Sequence, residues 1–505
     1  MSLTAEQAYA DLIRRTREAS LLASCGSVLS WDEATYMPRQ GSAFRGEQMG
    51  LLARLTHEMT TAPIIGELLA AVEGSSLLSD PLSDAAVNVR EIRRTYDRAV
   101  KVPAALVEEL ARVSTLAQQT WRDARAKSDF ALFRPHLQTL VRLLCEKADA
   151  IGHNGTRYDA LLDEYEPGAS SAEITQVFAG LRRELVPLLA AIRDSGKVPD
   201  RTLLQRDFPV DRQKFFAESA AAALGFNFEA GRLDESTHPF CSGFGPGDCR
   251  LTTRYNPRRF NDAFFGVLHE AGHGLYEQGL PAEHVGTPCG TYCSLGIHES
   301  QSRLWENQVG RSAAFWDHFF PRAQQTFPAA LRGVSPEAWL FAINDVQPSF
   351  IRVEADEATY NLHIILRFEL EQAIIAGDLA VADIPSAWNE NFERLLGLKV
   401  ENDAQGCLQD IHWSFGGMGY FATYTLGNLY AAQFMEAARA QLPGLDDDFR
   451  AGRFNRLHHW LGEKIYQSGQ RRRAADLCQH VTGKPLDAAA LLNYLRSKYA
   501  PLFGL

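Results

Sequence analysis

The segment FFGVLHEAGHGLYEQG holds two histidines, His269 and His273, four positions apart, with Glu270 between them. On an α-helix residues four apart sit one turn apart on one face, so both imidazoles can reach one cation. Glu270 is offset around the axis. That places a carboxylate beside a metal rather than on it, where it can take a proton from water. Ala271, Gly272 and Gly274 are small and leave room for other elements to approach this helix. A pair of core histidines on an amphipathic helix is the plain alternative, but buried imidazoles still need partners.

A catalytic zinc site takes a third protein ligand and keeps one position open. The downstream candidates are His284, His298, Glu299 and Glu306; the place six residues after His273 is Gly279, not histidine. A Gly, Pro and Thr rich stretch at 280–296 reads as a loop, after which IHESQSRLWENQVGRS starts a helix. Glu299 near its first turn is favoured over Glu306, because a helix, a return loop and a second helix can bring it back to the first. Zinc chemistry at such a site polarises a peptide carbonyl and acidifies water, with Glu270 passing the proton to the departing amine. Candidate donors to the developing oxyanion are His238, His412, Tyr420 and Tyr424, and spacing does not choose among them. Reading a free C-terminus needs a cation, for which Arg352 in SFIRVEADEATYNLH and Arg250 in GDCRLTTRY stand out.

The elements that must position these residues are mostly helical. Helical periodicity covers 5–25, 41–75, 82–99, 103–122, 129–151, 172–195 and 261–279, and helices resume from 297 onward. Ser170 or Ser171 caps the 172–195 helix. Between 196 and 256 the texture changes, and Leu251 to Tyr255 alternate enough for a short strand, so a small sheet belongs near the metal site. No repeat or linker divides the chain. Residues 1–505 are therefore read as one mostly helical catalytic body with a cleft.

Bulk composition is that of an ordinary globular chain of 505 residues. The net charge of -11 gives no support for nucleic-acid or anionic-membrane partners. No signal segment or membrane span is legible. Eight sparse cysteines read as free thiols in a reducing cytoplasm; Cys241 and Cys249 are too far apart in sequence to complete a clamp with Cys289 and Cys293.

Ordered segments along the chain resemble the thermostable (Taq-type) carboxypeptidase family, peptidase family M32. They are SWDEATYMPRQGSAFRGEQ, YDALLDEYEPG (158–168), HPF (238–240), DCRLT (248–252), HEAGH (269–273), HES (298–300), IRVEADE (351–357) and GCLQDIHW (406–413). The resemblance implies a zinc metallocarboxypeptidase that removes single residues of many kinds from peptide C-termini, with cobalt able to replace zinc. It implies His269, His273 and Glu299 as ligands and Glu270 as base. It raises Arg352 and His412 as contacts for the terminal carboxylate or the intermediate, and Tyr420 as a further contact. Arg250 becomes part of the site or its support, and His238 a residue of the cleft. It further implies a mainly α fold with a deep groove, N-terminal helices (about 1–80) that wall or lid it, and a homodimer. Residues 414–423 read SFGGMGYFAT, with Ala422 where the family pattern leads one to expect proline, which touches the cleft wall and not the metal. A zinc endopeptidase or dipeptidyl carboxypeptidase on a related helical fold, and a noncatalytic peptide-binding scaffold, are the competing readings.

Overall fold

A computed structural model describes residues 3–505. Helices dominate, and the boundaries follow local chemistry. Thr4 begins the Ala5–Thr35 helix with a capping box, and Ser170 caps Ser171–Asp194 by accepting from the Glu173 amide. Gly225, Gly377 and Gly397 end their helices in the left-handed region that glycine tolerates. The first helix runs ten residues past its expected end. The periodic stretch at 41–75 divides into Ser42–Thr61 and Pro63–Val72, because Pro63 starts a new helix in its first turn.

The expected sheet exists but is larger than the single strand read from the sequence. It has β1 (Gly231–Glu235), β2 (Cys241–Gly245) and β3 (Asp248–Thr253), in the order β1-β3-β2. β1 runs parallel to β3 and β2 antiparallel to it, with the pairing irregular between Gly243 and Gly245.

The Phe260–Gly279 helix, which carries HEAGH, rests on this sheet and on an aromatic bed. Phe264 stacks on Phe216 at 5.1 Å and on Phe260 at 5.2 Å between ring centres, and Phe260 meets Trp339 at 5.1 Å. Each such ring contributes roughly 1.5–3 kcal/mol on full burial. One face of the helix is thereby fixed in the core, and the histidines are left on the other.

Two glycines set how closely the neighbours approach. A Cβ at Gly272 would meet the Gln301 carbonyl and the Ser302 Cα of the Leu295–Arg303 helix at 2.5 and 2.6 Å. A Cβ at Gly427, on the Ala422–Gln441 helix, would meet Glu299 Cγ at 2.5 Å. Three helices therefore cross at near-backbone distance where Glu299 stands.

Most of the apolar interior is one continuous core from Val113 to Phe503. Ala8, Leu12, Ile65, Leu68, Leu69, Val72, Val89 and Ile92 form a separate small core among the first helices. Those helices touch the site region at Trp31, over which the Arg250 guanidinium lies at 4.3 Å, and at Tyr36, whose hydroxyl donates to Asp234 at 2.5 Å. No helix among the described residues is long and apolar enough to cross a membrane.

Candidate metal centre and active site

His269, His273 and Glu299 converge. One ligand atom from each lies within 4.8 Å of the others. Glu299 Oε2 stands 3.8 Å from His269 Nε2 and 3.5 Å from His273 Nε2. The remaining ring nitrogens are spoken for. His269 Nδ1 donates to Glu306 at 2.9 Å, and His273 Nδ1 meets His298 Nδ1 at 2.5 Å. His298 Nε2 in turn faces Glu277 Oε1 at 2.7 Å. Anchoring Nδ1 from behind turns each Nε2 toward the cluster, the usual arrangement for a histidine that holds a metal. Two imidazoles, one carboxylate and a carboxylate tether behind one imidazole suit a divalent cation of zinc type.

Glu299 is placed by its helix. Ser294 caps Leu295–Arg303 by accepting from the Ile297 amide. The buried Glu166 carboxylate accepts from Ser294 Oγ and from the Gly296 amide, each at 2.9 Å. An anion at a helix N-terminus is favoured by the helix dipole. One turn on, Arg303 Nε donates to Glu299 Oε1 at 2.7 Å and Nη1 to Glu306 Oε2 at 3.2 Å. Glu306 itself lies in a π-helical turn, Leu304–Val309. Of the two glutamates left open by spacing, Glu299 faces the histidine Nε2 atoms and Glu306 supports His269 from behind.

Burial and neighbours set the charge states. Burial pushes the Glu270 carboxyl up to about 7, helped by Glu299 and Glu306 against the pull of His269. Burial pulls His273 down to about 3, which keeps it a neutral ligand. Burial alone would raise Glu299, but Arg303, His269 and His273 outweigh it and hold the carboxylate well below its ordinary range. Glu306 is likewise held at about 2 against burial, chiefly by Arg303 and the His269 ring.

These groups open on a cavity of about 450 Å³ lined by His269, Glu270, His273, Glu299, Tyr292, Tyr420 and Tyr424 on the helical side and by Pro239, Phe240, Cys241 and Gly243 on the strand side. Of the substrate-contact candidates named from the sequence, Tyr420 and Tyr424 reach the wall; His412 and Arg352 stand behind it. His412 Nε2 is 3.2 Å from the Tyr424 hydroxyl, and burial lowers His412 to about 3. Arg352 is buried. It grips Asp410 through Nε and Nη2 at 3.0 and 2.8 Å and donates from Nη1 to Tyr360 at 2.9 Å. Arg367 holds the other Asp410 oxygen at 2.6 Å. Two guanidiniums thus share one carboxylate, leaving one unit of positive charge behind Tyr424, which lies 5.0 Å from Arg352.

Arg250 and His238 lie off the cavity wall. Arg250 is bidentate to Asp248 at 2.9 Å and sandwiched between Trp31 and Phe244. His238 is exposed next to the lining residues Pro239 and Phe240, and its carbonyl accepts from Ser236. Sequence reasoning missed Arg303, Asp410 and Tyr360. Arg303 was findable, since it lies four residues after Glu299 on the same helix. Asp410 sits two residues before His412 within GCLQDIHW.

A mainly helical body holding a HExxH helix and a crossing glutamate defines a metallopeptidase. The sequence model of the family described as "Carboxypeptidase Taq (M32) metallopeptidase" matches residues 11–499, so the chain belongs to that family and is a metallocarboxypeptidase. It is 49% identical to "Thermostable carboxypeptidase 1" of Thermus thermophilus over 99% of this chain and 100% of the relative. To "Carboxypeptidase 1" of Bacillus subtilis it is 37% identical over 99% of each chain. Among solved structures, it superposes on the M32 carboxypeptidase from Deinococcus radiodurans R1 with a TM-score of 0.96 at 40% identity, covering 99% of this chain and 100% of the other.

Proposed function

We propose that the protein is a zinc-dependent metallocarboxypeptidase that releases single C-terminal residues of broad identity from peptides. The observation that carries the reading is the convergence of His269, His273 and Glu299 beside a carboxylate, Glu270, whose burial places its proton affinity near neutrality. His269, His273 and Glu299 would hold the zinc or cobalt ion, which when bound would supply Lewis acidity for the scissile carbonyl and for water. Glu270 accepts a proton from the attacking water and returns it to the departing amine; an acid–base group with affinity near the working pH does both. The Tyr420 and Tyr424 hydroxyls on the cavity wall supply hydrogen bonds to the oxygen on which charge develops. His412, held neutral, orients Tyr424.

Selection of a free C-terminus falls to the positive charge left by Arg352 and Arg367 on Asp410, which draws the terminal carboxylate toward Arg352, Tyr424 and His412. Arg250 contributes as support, clamping the first helix to β3, and His238 forms part of the rim. The N-terminal helices (about 1–80), which share a small core with the Asp84–Lys101 helix, form a wall or lid of the groove within one catalytic body of residues 1–505. The working assembly is a homodimer, and the eight free thiols suit a reducing cytoplasm.

Mass spectrometry of a peptide supplied as free acid and as C-terminal amide tests the reading. Stepwise loss of single residues from the free acid, stopped by a chelator and restored by zinc, is the expected result. Strong cleavage of the amide with internal fragments would instead assign an endopeptidase.

A further inference from the structure

Outside the groups already given roles, two thiols stand together in the strand wall of the cavity. Cys241 on β2 lines the cavity, and Cys249 on β3 is buried behind it, with 3.6 Å between the sulfurs. The register explains the closeness. Cys241 lies opposite Leu251 and Gly243 opposite Cys249, so the cysteines are diagonal neighbours on one face. Gly243 puts no side chain between them. β2 is an edge strand, and its pairing is irregular beyond Gly243, so it can shift without breaking a ladder to any further strand.

We propose that Cys241 and Cys249 form a reversible oxidation site, a dithiol that closes to a disulfide under peroxide and reshapes the substrate wall. The sulfur of Cys241, the cysteine that lines the cavity, attacks a peroxide oxygen: an S–O bond forms, the O–O bond breaks, and water leaves with the thiol proton. The Cys249 sulfur then attacks Cys241: the S–S bond forms, the S–O bond breaks, and a second water carries off the Cys249 proton. Two thiols lose two electrons, and one peroxide is reduced to two waters.

A disulfide needs about 2.05 Å between sulfurs, so the pair must close by roughly 1.5 Å. Cys249 lies on the central strand, paired on both sides, with its sulfur 3.9 Å from the Gly274 carbonyl, so β2, paired on one side only, is the part that moves. Pro239, Phe240 and Gly243 move with it, opposite Tyr420 and Tyr424. Diagonal partners start farther apart than disulfides prefer, so the bond is readily reduced. The hydrogen bond with Cys249 and burial hold the Cys241 thiol well above its ordinary range. The thiolate is therefore scarce, and the site answers to sustained oxidant rather than to traces.

The test treats the metal-loaded full-length protein with millimolar hydrogen peroxide and maps non-reduced peptides by mass spectrometry. The expected result is a Cys241–Cys249 cross-link, lost on treatment with a phosphine reductant. The value of kcat/KM on a free-acid peptide falls at least roughly threefold, well within what a misplacement of about an ångström can cost, and recovers on reduction. In Cys241→Ser the recoverable loss, measured against that variant's own untreated rate, is absent. Cys249→Ser shows no cross-link at Cys241. Absence of the cross-link under conditions that oxidise the exposed Cys25, a cross-link with unchanged kcat/KM, or the same recoverable loss in Cys241→Ser would each overturn the proposal. The activity arm rests on the peptidase reading; the peptide map does not, so failure of either is told apart.

Discussion

On the proposed mechanism turnover depends on Glu270, whose burial beside His269, Glu299 and Glu306 sets its proton affinity. A carboxyl pushed up to about 7 can both accept and return a proton near neutral pH. Replacing it by glutamine keeps size and hydrogen bonding but removes the basic oxygen. Glu270→Gln is expected to retain a full complement of metal, read by elemental analysis, while kcat falls by roughly 10²- to 10⁴-fold. Metal loading with an unchanged rate would remove Glu270 from the role of base. Glu306 acts at one remove, through the 2.9 Å bond to His269 Nδ1. Glu306→Gln should weaken metal affinity by roughly 10- to 100-fold, measured by chelator competition. Spacing alone placed the two histidines and Glu270, because a helix has a fixed period. It left Glu306 as a rival ligand, because nothing in the spacing says that residues 304–309 form a π-helical turn or which nitrogen each carboxylate will face.

Helices bring those residues together only where side chains are missing. Gly427 faces Glu299, and a Cβ there would sit 2.5 Å from Glu299 Cγ. Gly427→Ala is therefore expected to lower stability by roughly 1–3 kcal/mol in denaturant unfolding and to weaken metal binding, since Glu299 is the group that must give way. The N-terminus of the Glu299 helix carries a second dependence. Burial raises Glu166 to about 7 against its ordinary 4.5, despite its bonds from Gly296 and Ser294. A folded-state value above the unfolded one means that the protonated acid is favoured by folding. That contribution is whole below about pH 4.5 and is lost as pH rises through 7. Stability of the wild type relative to Glu166→Gln should thus fall by on the order of 1–3 kcal/mol between pH 4.5 and 8, then level off. A pH-independent difference would show that the carboxyl titrates alike in both states. The helices themselves were legible from periodicity and caps such as Ser170. Their crossing points were not, because an isolated glycine reads as a weak helix position rather than as a contact.

At the scale of the molecule, the long-range pairings were the least legible. Arg352 and Asp410 are 58 residues apart, and no local pattern joins them. The acidic residues nearest Arg352 in sequence are Glu354, Asp356 and Glu357. The structure gives it a distant partner, and a second arginine on that partner leaves the surplus charge. The sheet behind Cys241 was equally hidden: only one of its strands was read, and two of its three strands are only five residues long. What the whole fold accomplishes is to set two imidazoles from one helix and a carboxylate from the next around one point. Anomalous diffraction at the zinc edge from zinc-loaded crystals tests this most directly. The account predicts one strong peak roughly 2.0–2.2 Å from His269 Nε2, His273 Nε2 and a Glu299 oxygen. A peak bound elsewhere, or one that Glu299 does not touch, would contradict it.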